Sequence, residues 1–591
     1  MSNFFLYHSD SIFDYKGAEA VFLKKGLSLP SRVKLGSWNL LLYPKILSLK
    51  PNAIQGSNGR FTFCIGTMCY RSLASNSSLE RVHKDYFAGT LDHDELIGNF
   101  CLGFWDERVL SLMTDNLNLQ HVFVNYTQRC LSSSFLALLA SSPQALSLNL
   151  LAVHEKLASG YIVAPDTLVN GISQITYDLA PLLLQKTGIQ FINKIPIDSQ
   201  ESLSHQGFQA NLYACIEILK IYFKKIDAIA CELKAELGIS SGYDSRLLLA
   251  LSQVLSYPIP LHSHHTLNVH ESELMIARKL ASFSGNQLTV IPTKRIEEYG
   301  EDKIREIILD NLYFFDGRCT NDIGHFSETY TPDYRKRVMK DNRLSLNGLG
   351  GECFRNSFKT PLGRFSWNDW QDYAVFFTFA KDSCGSNDSF LAMRGHRNKK
   401  IEIRLGIDLS GIVDSYTTRK YYGLVRMPDC IGNVCNAFNQ VAYILTPFIE
   451  PSTLSEVLKV NSSIIGYDGE FEAAMINKIS PKLSSIASQY GYSFSAIPRS
   501  SLVKAQIKSF IPLNLLVLRK RCLGYKSLKN SKLPVYQQVN AKNSCIHELK
   551  EVLRDVYPFT NWESVLCQEN QKRTALYIAS FIREFQHKLN Y

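Results

Sequence analysis

The sequence lacks three features that would place it quickly in a class of proteins. No window of 18 residues is apolar throughout, so the hydropathy pattern predicts no membrane-spanning helix. No two cysteines form a CxxC pair, and the nearest spacings, Cys64 to Cys69 and Cys430 to Cys435, match no zinc-binding pattern. No block of five or six consecutive basic residues occurs, so the net charge of +10 is not gathered in a tail for nucleic acid.

The start of the chain also lacks a basic segment followed by an apolar core, so no secretory signal is visible. Together these absences predict a soluble, cytoplasmic protein with reduced cysteines. What is present is a chain of 591 residues, of which 45% are hydrophobic. A chain of this length buries enough apolar surface to fold without disulfides or a structural metal. Its 33 Phe and 29 Tyr exclude a disordered protein.

The pattern of the chain changes near residue 205. Before that point, short alternating runs between turn residues, such as 60–65 and 109–113, predict a β-rich region with a few helices. After a helix predicted over 207–225, strands and helices alternate at short intervals, which predicts an α/β fold with a doubly wound, mostly parallel sheet. The rest of the chain from residue 372 reads as mainly helical. The predicted strands and helices of the alternating part lie at 235–240, 246–255, 259–263, 271–283 and 287–291.

The turn at 240–245, with the sequence SSGYDS, is the best candidate for a binding site. It joins the first predicted parallel strand to a helix, where ligands and anions bind in such sheets. Gly242 would let backbone N–H groups approach a phosphate, and Asp244 would hold a divalent cation that bridges phosphate oxygens. Hydroxyl donors come from Ser240, Ser241 and Ser245. The plain alternative is an Asx or Ser turn that caps the helix.

The segment LGISSGYDSRLLLAL at 237–251 resembles the pyrophosphate-binding loop of the N-type ATP pyrophosphatases, and within them of the asparagine synthetase family. The family's usual form is SGGxDS, and Ser241 stands at its first glycine. The blocks 271–281 and 346–352 follow in the family's order, the second with the sequence LNGLGGE where the family has GxGGD. The resemblance implies that ATP and Mg²⁺ are bound, with Gly348 beside the phosphates and Asp244 and Glu352 as metal ligands.

Residues 504–525 resemble the family's helix–Pro–helix segment, which ends in R-x-K-x-G-[FY]. The resemblance implies that a lysine in this segment stabilises charge on the acyl-adenylate and pyrophosphate. Lys520 is the catalytic candidate, although strict spacing from Arg519 places Arg521 at that position. An arginine there would keep the phosphate contact but put a proton-transfer role in doubt.

Residues 98–106 and 112–115 resemble strands of the family's N-terminal glutaminase domain, an Ntn-hydrolase-like α+β sandwich, and the resemblance extends to about residue 526. Glutaminase members need a cysteine directly after the initiator Met. This chain has Ser2 there and no cysteine before Cys64. We therefore predict an inactive glutaminase-like domain over 1–200 and a synthetase domain over 201–591 whose C-terminal part is helical.

The resemblance implies an ATP- and Mg²⁺-dependent ligase that adenylates a carboxylate and lets an amine displace AMP, as β-lactam synthetases and lasso-peptide cyclases do. The specific expectation is macrolactam closure in a ribosomal peptide, with a small-molecule or peptide carboxylate as substrate. A precursor peptide and a maturation protease would then be partners, without nucleic acid or a membrane. Two alternatives stay open: an asparagine synthetase or amidotransferase that uses ammonia on a metabolite, and a non-catalytic scaffold with a decayed ATP site.

Overall fold

The computed structural model describes residues 2–590 except 49–51, 57, 185–187, 194–206, 267–270, 321–325, 531–543, 559 and 567. It is a mixed α/β structure. In chain order its strands are β1 (Asn3–His8), β2 (Ser31–Leu35), β3 (Trp38–Tyr43), β4 (Ala53–Gln55), β5 (Phe61–Tyr70), β6 (Leu96–Trp105), β7 (Val109–Thr114), β8 (Phe123–Asn125), β9 (Cys130–Ser132), β10 (Leu146–Ser147), β11 (Ser173–Gln174), β12 (Leu179–Leu184), β13 (Gly188–Asn193), β14 (Ala235–Gly238), β15 (Leu261–Thr266), β16 (Leu288–Thr293), β17 (Leu344–Leu346), β18 (Arg364–Ser366), β19 (Ile412–Asp414), β20 (Tyr443–Leu445) and β21 (Leu589–Asn590).

Helices are concentrated in the C-terminal two thirds of the chain. The α-helices are Tyr15–Lys24, Ser75–Phe87, Phe135–Ser141, Leu150–Ser159, Phe208–Lys225, Asp227–Glu232, Tyr243–Ser252, Glu271–Ser284, Glu301–Phe314, Pro332–Val338, Trp367–Trp370, Ala380–Ser383, Asn387–Leu405, Ser415–Tyr421, Gly432–Val441, Pro451–Lys459, Ser462–Ile465, Glu470–Ile479, Pro481–Ser484, Arg499–Ser509, Leu513–Asn530, Ser544–Val556, Trp562–Leu566 and Glu569–Glu584. Two π-helical segments are Gln371–Val375 and Tyr422–Ile431. Short 3₁₀ turns are His93–Glu95, Ile296–Glu298, Glu328–Tyr330, Gly351–Phe354, Pro447–Ile449 and Gln586–Lys588.

Two six-stranded sheets form the N-terminal part. Their strand orders are β11-β8-β9-β1-β3-β2 and β13-β12-β7-β6-β5-β4, and neighbouring strands pair antiparallel. Side chains of both sheets, among them Phe4 and Leu40 from one and Phe63 and Leu112 from the other, share one buried core. The β-rich prediction for this region is confirmed, and the strands predicted at 60–65 and 109–113 are β5 and β7.

A five-stranded sheet follows, in the order β16-β15-β14-β17-β20, and every pair in it is parallel. The predicted parallel sheet is therefore confirmed. The helix predicted over 246–255 begins earlier, as Tyr243–Ser252, because Gly242 is extended and serves as its N-cap. The chain proceeds from β14 outward through β15 and β16, and then returns to the other side of β14 with β17. Such a reversal is the switch point at which open α/β sheets bind ligands.

The N-terminal sheets and the C-terminal helices share buried side chains. One core cluster contains Phe5 and Leu136 together with Phe314, Phe438 and Phe581. The boundary predicted near residue 200 stays a prediction, since this packing joins residues from both sides of it. Within the described part of the chain, no single helix has the length and apolar character to cross a bilayer. The consecutive helical pieces Arg499–Ser509 and Leu513–Leu523 meet that criterion only jointly, across a 103° bend.

Candidate functional site

The loop that follows β14 holds itself in shape through its own serines. The Ser240 backbone N–H donates to Ser245 Oγ at 3.1 Å, the two hydroxyls lie 2.9 Å apart, and the Gly242 N–H donates to Ser240 Oγ at 3.3 Å. The N-cap residue of the helix Tyr243–Ser252 is Gly242, which has no side chain with which to cap it. The first backbone N–H groups of that helix are therefore not capped by Gly242, at the end of the helix that favours anions.

The Ser241 side chain does not contact those of Ser240 and Ser245 in this structure, and its predicted role as a phosphate donor stays a prediction. This side chain is buried and its hydroxyl donates to Gln489 Oε1 at 3.0 Å, away from the other two serines. The fully buried Arg246 donates to the Ser241 carbonyl at 3.3 Å and to the Ile486 carbonyl at 2.6 Å. Ser241 thus anchors the loop to the segment around residue 486 and does not present its hydroxyl with those of Ser240 and Ser245.

The glycine-rich loop after β17 packs directly on Asp244. A Cβ atom at Gly348 would lie 3.2 Å from the Cβ of Asp244, and one at Gly351 would lie 2.6 Å from its Cγ. Gly350 has φ of +87°, a backbone conformation that favours glycine. The glycines are therefore required by close approach and by backbone conformation. Two motifs far apart in sequence meet because β14 and β17 are neighbours.

A guanidinium group that sequence reasoning missed lies between the acidic side chains of this site. Arg355 donates from its two terminal nitrogens to Oδ1 and Oδ2 of Asp244, both at 2.9 Å, and donates to Glu472 Oε2 at 2.7 Å. Glu352 lies 3.4 Å from Arg355 and accepts a hydrogen bond from the Tyr422 hydroxyl at 2.7 Å. Arg355 follows Glu352 by three residues, and this proximity in sequence to a candidate metal ligand was a signal that could have identified it. Glu472 carried no such signal.

Burial governs the protonation of this cluster. Burial raises the pKa of Asp244, the charge of Glu352 adds to that effect, and Arg355 opposes it. Burial and the charge of Asp244 raise the pKa of Glu472 well above its usual range. Burial alone would lower the pKa of Arg355, but the three carboxylates outweigh it and raise that pKa. Arg355 therefore stays charged, and the buried carboxyls retain protons more tightly than exposed ones.

The donor set fits Mg²⁺ held together with a phosphate. Mg²⁺ takes oxygen ligands and is usually bound through one or two carboxylates plus substrate phosphates. Asp244 and Glu352 border one cavity, and the buried Oε1 of Glu472 accepts no hydrogen bond from a donor group among the described residues. Among the described residues, no group of three or more His, Cys, Asp or Glu side chains is arranged to hold a metal ion. A metal ion at Asp244 and Glu352 would therefore need further oxygen ligands from a bound phosphate.

The two loops open into a cavity of about 780 Å³. This volume lies within the range of small-molecule and cofactor sites. Ser240, Asp244 and Ser245 border it from the first loop, and Gly348 and Glu352 from the second. The remaining lining comes mostly from three segments further along the chain, namely 357–359, 373–374 and 422–431, which contribute among others Lys359, Tyr373 and Arg426.

Lys520 and Arg521 lie outside this cavity. The Lys520 ammonium donates to the carbonyls of Asp372, Tyr373 and Phe376 at 2.6–2.9 Å, and burial lowers its pKa to about 8. Arg521 pairs with the Asp372 carboxylate at 3.0 Å. Both border a second cavity of about 220 Å³. Neither residue borders the cavity that contains Asp244. Their catalytic role stays a prediction, and this arrangement gives it no support.

At the N-terminus, Ser2 is buried and its hydroxyl donates to the carbonyls of Tyr43 at 3.2 Å and Pro44 at 3.0 Å. Cys64 is buried as well, and burial raises the pKa of its thiol to about 11. A thiol with a raised pKa is a poor nucleophile at neutral pH. That this part of the chain hydrolyses no glutamine remains a prediction.

Comparison with known proteins adds little to this geometry. No protein-family model matches the chain, and no curated protein matches it. Among solved structures it is similar to a glutamine phosphoribosylpyrophosphate (PRPP) amidotransferase from B. subtilis complexed with ADP and GMP, at 9% sequence identity and a TM-score of 0.22. The similarity covers 49% of this chain and 65% of that one, which is less than two thirds of its length. A TM-score this low carries no argument about fold or function.

Proposed function

We propose that this protein is an ATP- and Mg²⁺-dependent ligase that forms an amide bond through an acyl-adenylate. The observation that carries the proposal is the meeting of the loop 240–245 with the loop 347–352 at the switch point of the parallel sheet. Asp244 from the first loop packs on Gly348 and Gly351 of the second, and both loops border one cavity. Switch-point crevices of parallel sheets are where nucleotides bind.

The chain's own groups would act on the phosphates as follows. The backbone N–H groups at the start of the helix Tyr243–Ser252 favour the pyrophosphate end of the nucleotide through the helix dipole. The hydroxyls of Ser240 and Ser245 lie at the border of the cavity and would donate to phosphate oxygens. Asp244 and Glu352 would hold Mg²⁺, which supplies neutralisation of phosphate charge when it is bound.

The reaction would run in two displacements. A carboxylate oxygen of the substrate attacks the α-phosphorus of ATP, and pyrophosphate leaves. An amine then attacks the acyl carbon, AMP leaves with the electron pair of the broken C–O bond, and the amine loses its proton to solvent or a nearby base. Dividing one condensation into two steps gives each a good leaving group. Macrolactam closure in a ribosomal peptide, with a precursor peptide and a protease as partners, is the more specific form of this proposal.

ATP–pyrophosphate exchange tests the first step. We expect radiolabelled pyrophosphate to enter ATP when the wild-type chain is supplied with its carboxylate, from a panel of amino acids, peptides and small acids. Asp244→Asn should abolish exchange, and Asp408→Asn, at an exposed aspartate on a surface turn, should not. Exchange absent with every carboxylate would favour the non-catalytic scaffold. Conversion of aspartate and ammonia to asparagine and AMP would favour the asparagine synthetase reading over cyclisation.

A further inference from the structure

Three carboxylates surround the Arg355 guanidinium, and two of them, those of Asp244 and Glu352, border the cavity. Its side chain is 19% exposed, that of Asp244 is 27% exposed, and that of Glu472 is fully buried. Glu352 completes the group at 3.4 Å. The Oε1 atom of Glu472 is buried and accepts no hydrogen bond from a donor group among the residues that the structure describes, and the carboxyls of Glu472 and Asp244 lie within hydrogen-bonding reach of each other. A buried acceptor without a partner costs free energy, so this cluster has unused capacity for a cation or a proton.

Arg355 uses the oxygen atoms that a metal ion would need. Its two terminal nitrogens face the two oxygens of Asp244 at equal distances of 2.9 Å, the paired geometry that makes guanidinium–carboxylate contacts strong and specific. The guanidinium carbon also lies 5.6 Å from the centre of the Tyr243 ring, which favours a cation at that position. A divalent ion that used the same lone pairs of Asp244 would have to displace this contact.

We propose that Arg355 is a resident counter-ion that keeps divalent cations off Asp244 until a polyphosphate enters the cavity and takes over the guanidinium. The inference rests on the proposed function, since the polyphosphate is the ligand proposed there. Guanidinium groups bind phosphate oxygens in the same paired geometry as carboxylates, so a phosphate offers Arg355 an equivalent partner. Polyphosphate would free the Asp244 carboxylate for the metal ion, and the metal ion would free the Arg355 guanidinium for the polyphosphate. Each would therefore favour the binding of the other.

A purely structural role for Arg355 would give a different result when the residue is replaced. If the residue only neutralises buried charge, its loss lowers stability and leaves metal affinity unchanged. If it competes with cations, its loss leaves Asp244, Glu352 and Glu472 without the cation that now contacts them, and metal affinity in the absence of nucleotide rises. Metal binding by the nucleotide-free protein therefore separates the two roles.

The test is Mn²⁺ binding by the full-length chain without nucleotide, measured from the loss of the free-ion electron paramagnetic resonance signal. We expect Arg355→Gln and Arg355→Met to bind Mn²⁺ at least tenfold more tightly than the wild type. Arg394→Gln is the matched control, because Arg394 is 12% exposed and pairs with Asp372 outside this cluster. The control should bind Mn²⁺ as the wild type does. Equal affinity in the wild type and in folded Arg355 variants would overturn the inference.

Controls for folding and a measurement on the wild-type chain complete the test. The glutamine variant retains hydrogen-bonding capacity toward Asp244, and circular dichroism identifies variants that fail to fold. The wild-type chain also tests the inference without any variant, because Mn²⁺ alone bound in the micromolar range would overturn it. The Mn²⁺ measurement and the exchange assay can fail separately. Tighter Mn²⁺ binding without ATP–pyrophosphate exchange would defeat the ligase and keep Arg355 as counter-ion, whereas exchange with unchanged Mn²⁺ affinity would do the reverse.

Discussion

The contact between Gly351 and Asp244 can be tested with a single added methyl group. A Cβ atom at Gly351 would overlap Oδ1 of Asp244 and lie 2.6 Å from its Cγ, so the carboxylate would have to leave its position on Arg355. Overpacking of this kind costs about 1–3 kcal/mol. At Gly395, in the helix Asn387–Leu405, an added Cβ meets nothing within 4 Å. We expect Gly351→Ala to destabilise the fold by about 1–3 kcal/mol and Gly395→Ala to stabilise it by up to about 1 kcal/mol.

A double-mutant cycle assigns the clash to its partner. Asp244→Ala removes Oδ1 and Cγ, the two atoms nearest to the new methyl group, and leaves only Cβ, at 3.0 Å. Gly351→Ala should therefore cost less in that background. We expect a coupling free energy of about 1 kcal/mol or more, measured by denaturant unfolding followed by circular dichroism. Costs that add to within about 0.5 kcal/mol would refute the proposed contact between the two loops.

Three further predictions concern ionisable side chains that are largely buried. Lys520→Met leaves three carbonyls without their hydrogen-bond donor, so we expect the free energy of unfolding, measured by thermal unfolding, to fall by about 2 kcal/mol or more. ATP–pyrophosphate exchange should be retained. Loss of exchange in a fully folded variant would support a catalytic role for Lys520. Burial raises the pKa of Glu450 to about 8, so the folded state keeps a proton that the unfolded chain releases above about 4.5. Stability relative to Glu450→Gln should then fall as pH rises from 4.5 to 8, and a flat difference would contradict this. Burial lowers the pKa of Lys45 to about 7, so stability relative to Lys45→Met should rise with pH from 7 toward 10.5 in the same unfolding assay, and a falling difference would contradict it.

The local pattern was enough to predict most elements around the site. Apolar residues at helical spacing predicted a helix over 207–225, which is Phe208–Lys225, and the alternation after it predicted the parallel strands. The order of those strands depends on pairings such as Ala235 with Leu344, which no local pattern encodes. The two loops were predicted to meet only through the family resemblance, and the sheet order gives the physical reason why they do.

The side chains around Asp244 were less predictable. Arg355 contacts Asp244 from a turn, and Glu472 contacts Arg355 from a helix. The relative position of that turn and that helix depends on tertiary packing. Ser241 and Lys520 were assigned by motif position alone. The direction of each side chain follows from its neighbours, Gln489 for the first and the carbonyls of 372–376 for the second. Motif spacing fixes where a residue lies in the chain and does not fix which group its side chain contacts.

Titration calorimetry of the chain with ATP and MgCl₂ tests most directly whether the cavity where the two loops meet binds ATP. We predict one binding site per chain in the wild type and in Gly395→Ala, and binding at least tenfold weaker in Gly351→Ala. No heat of binding in the wild type, or equal affinity in Gly351→Ala, would contradict ATP binding in this cavity.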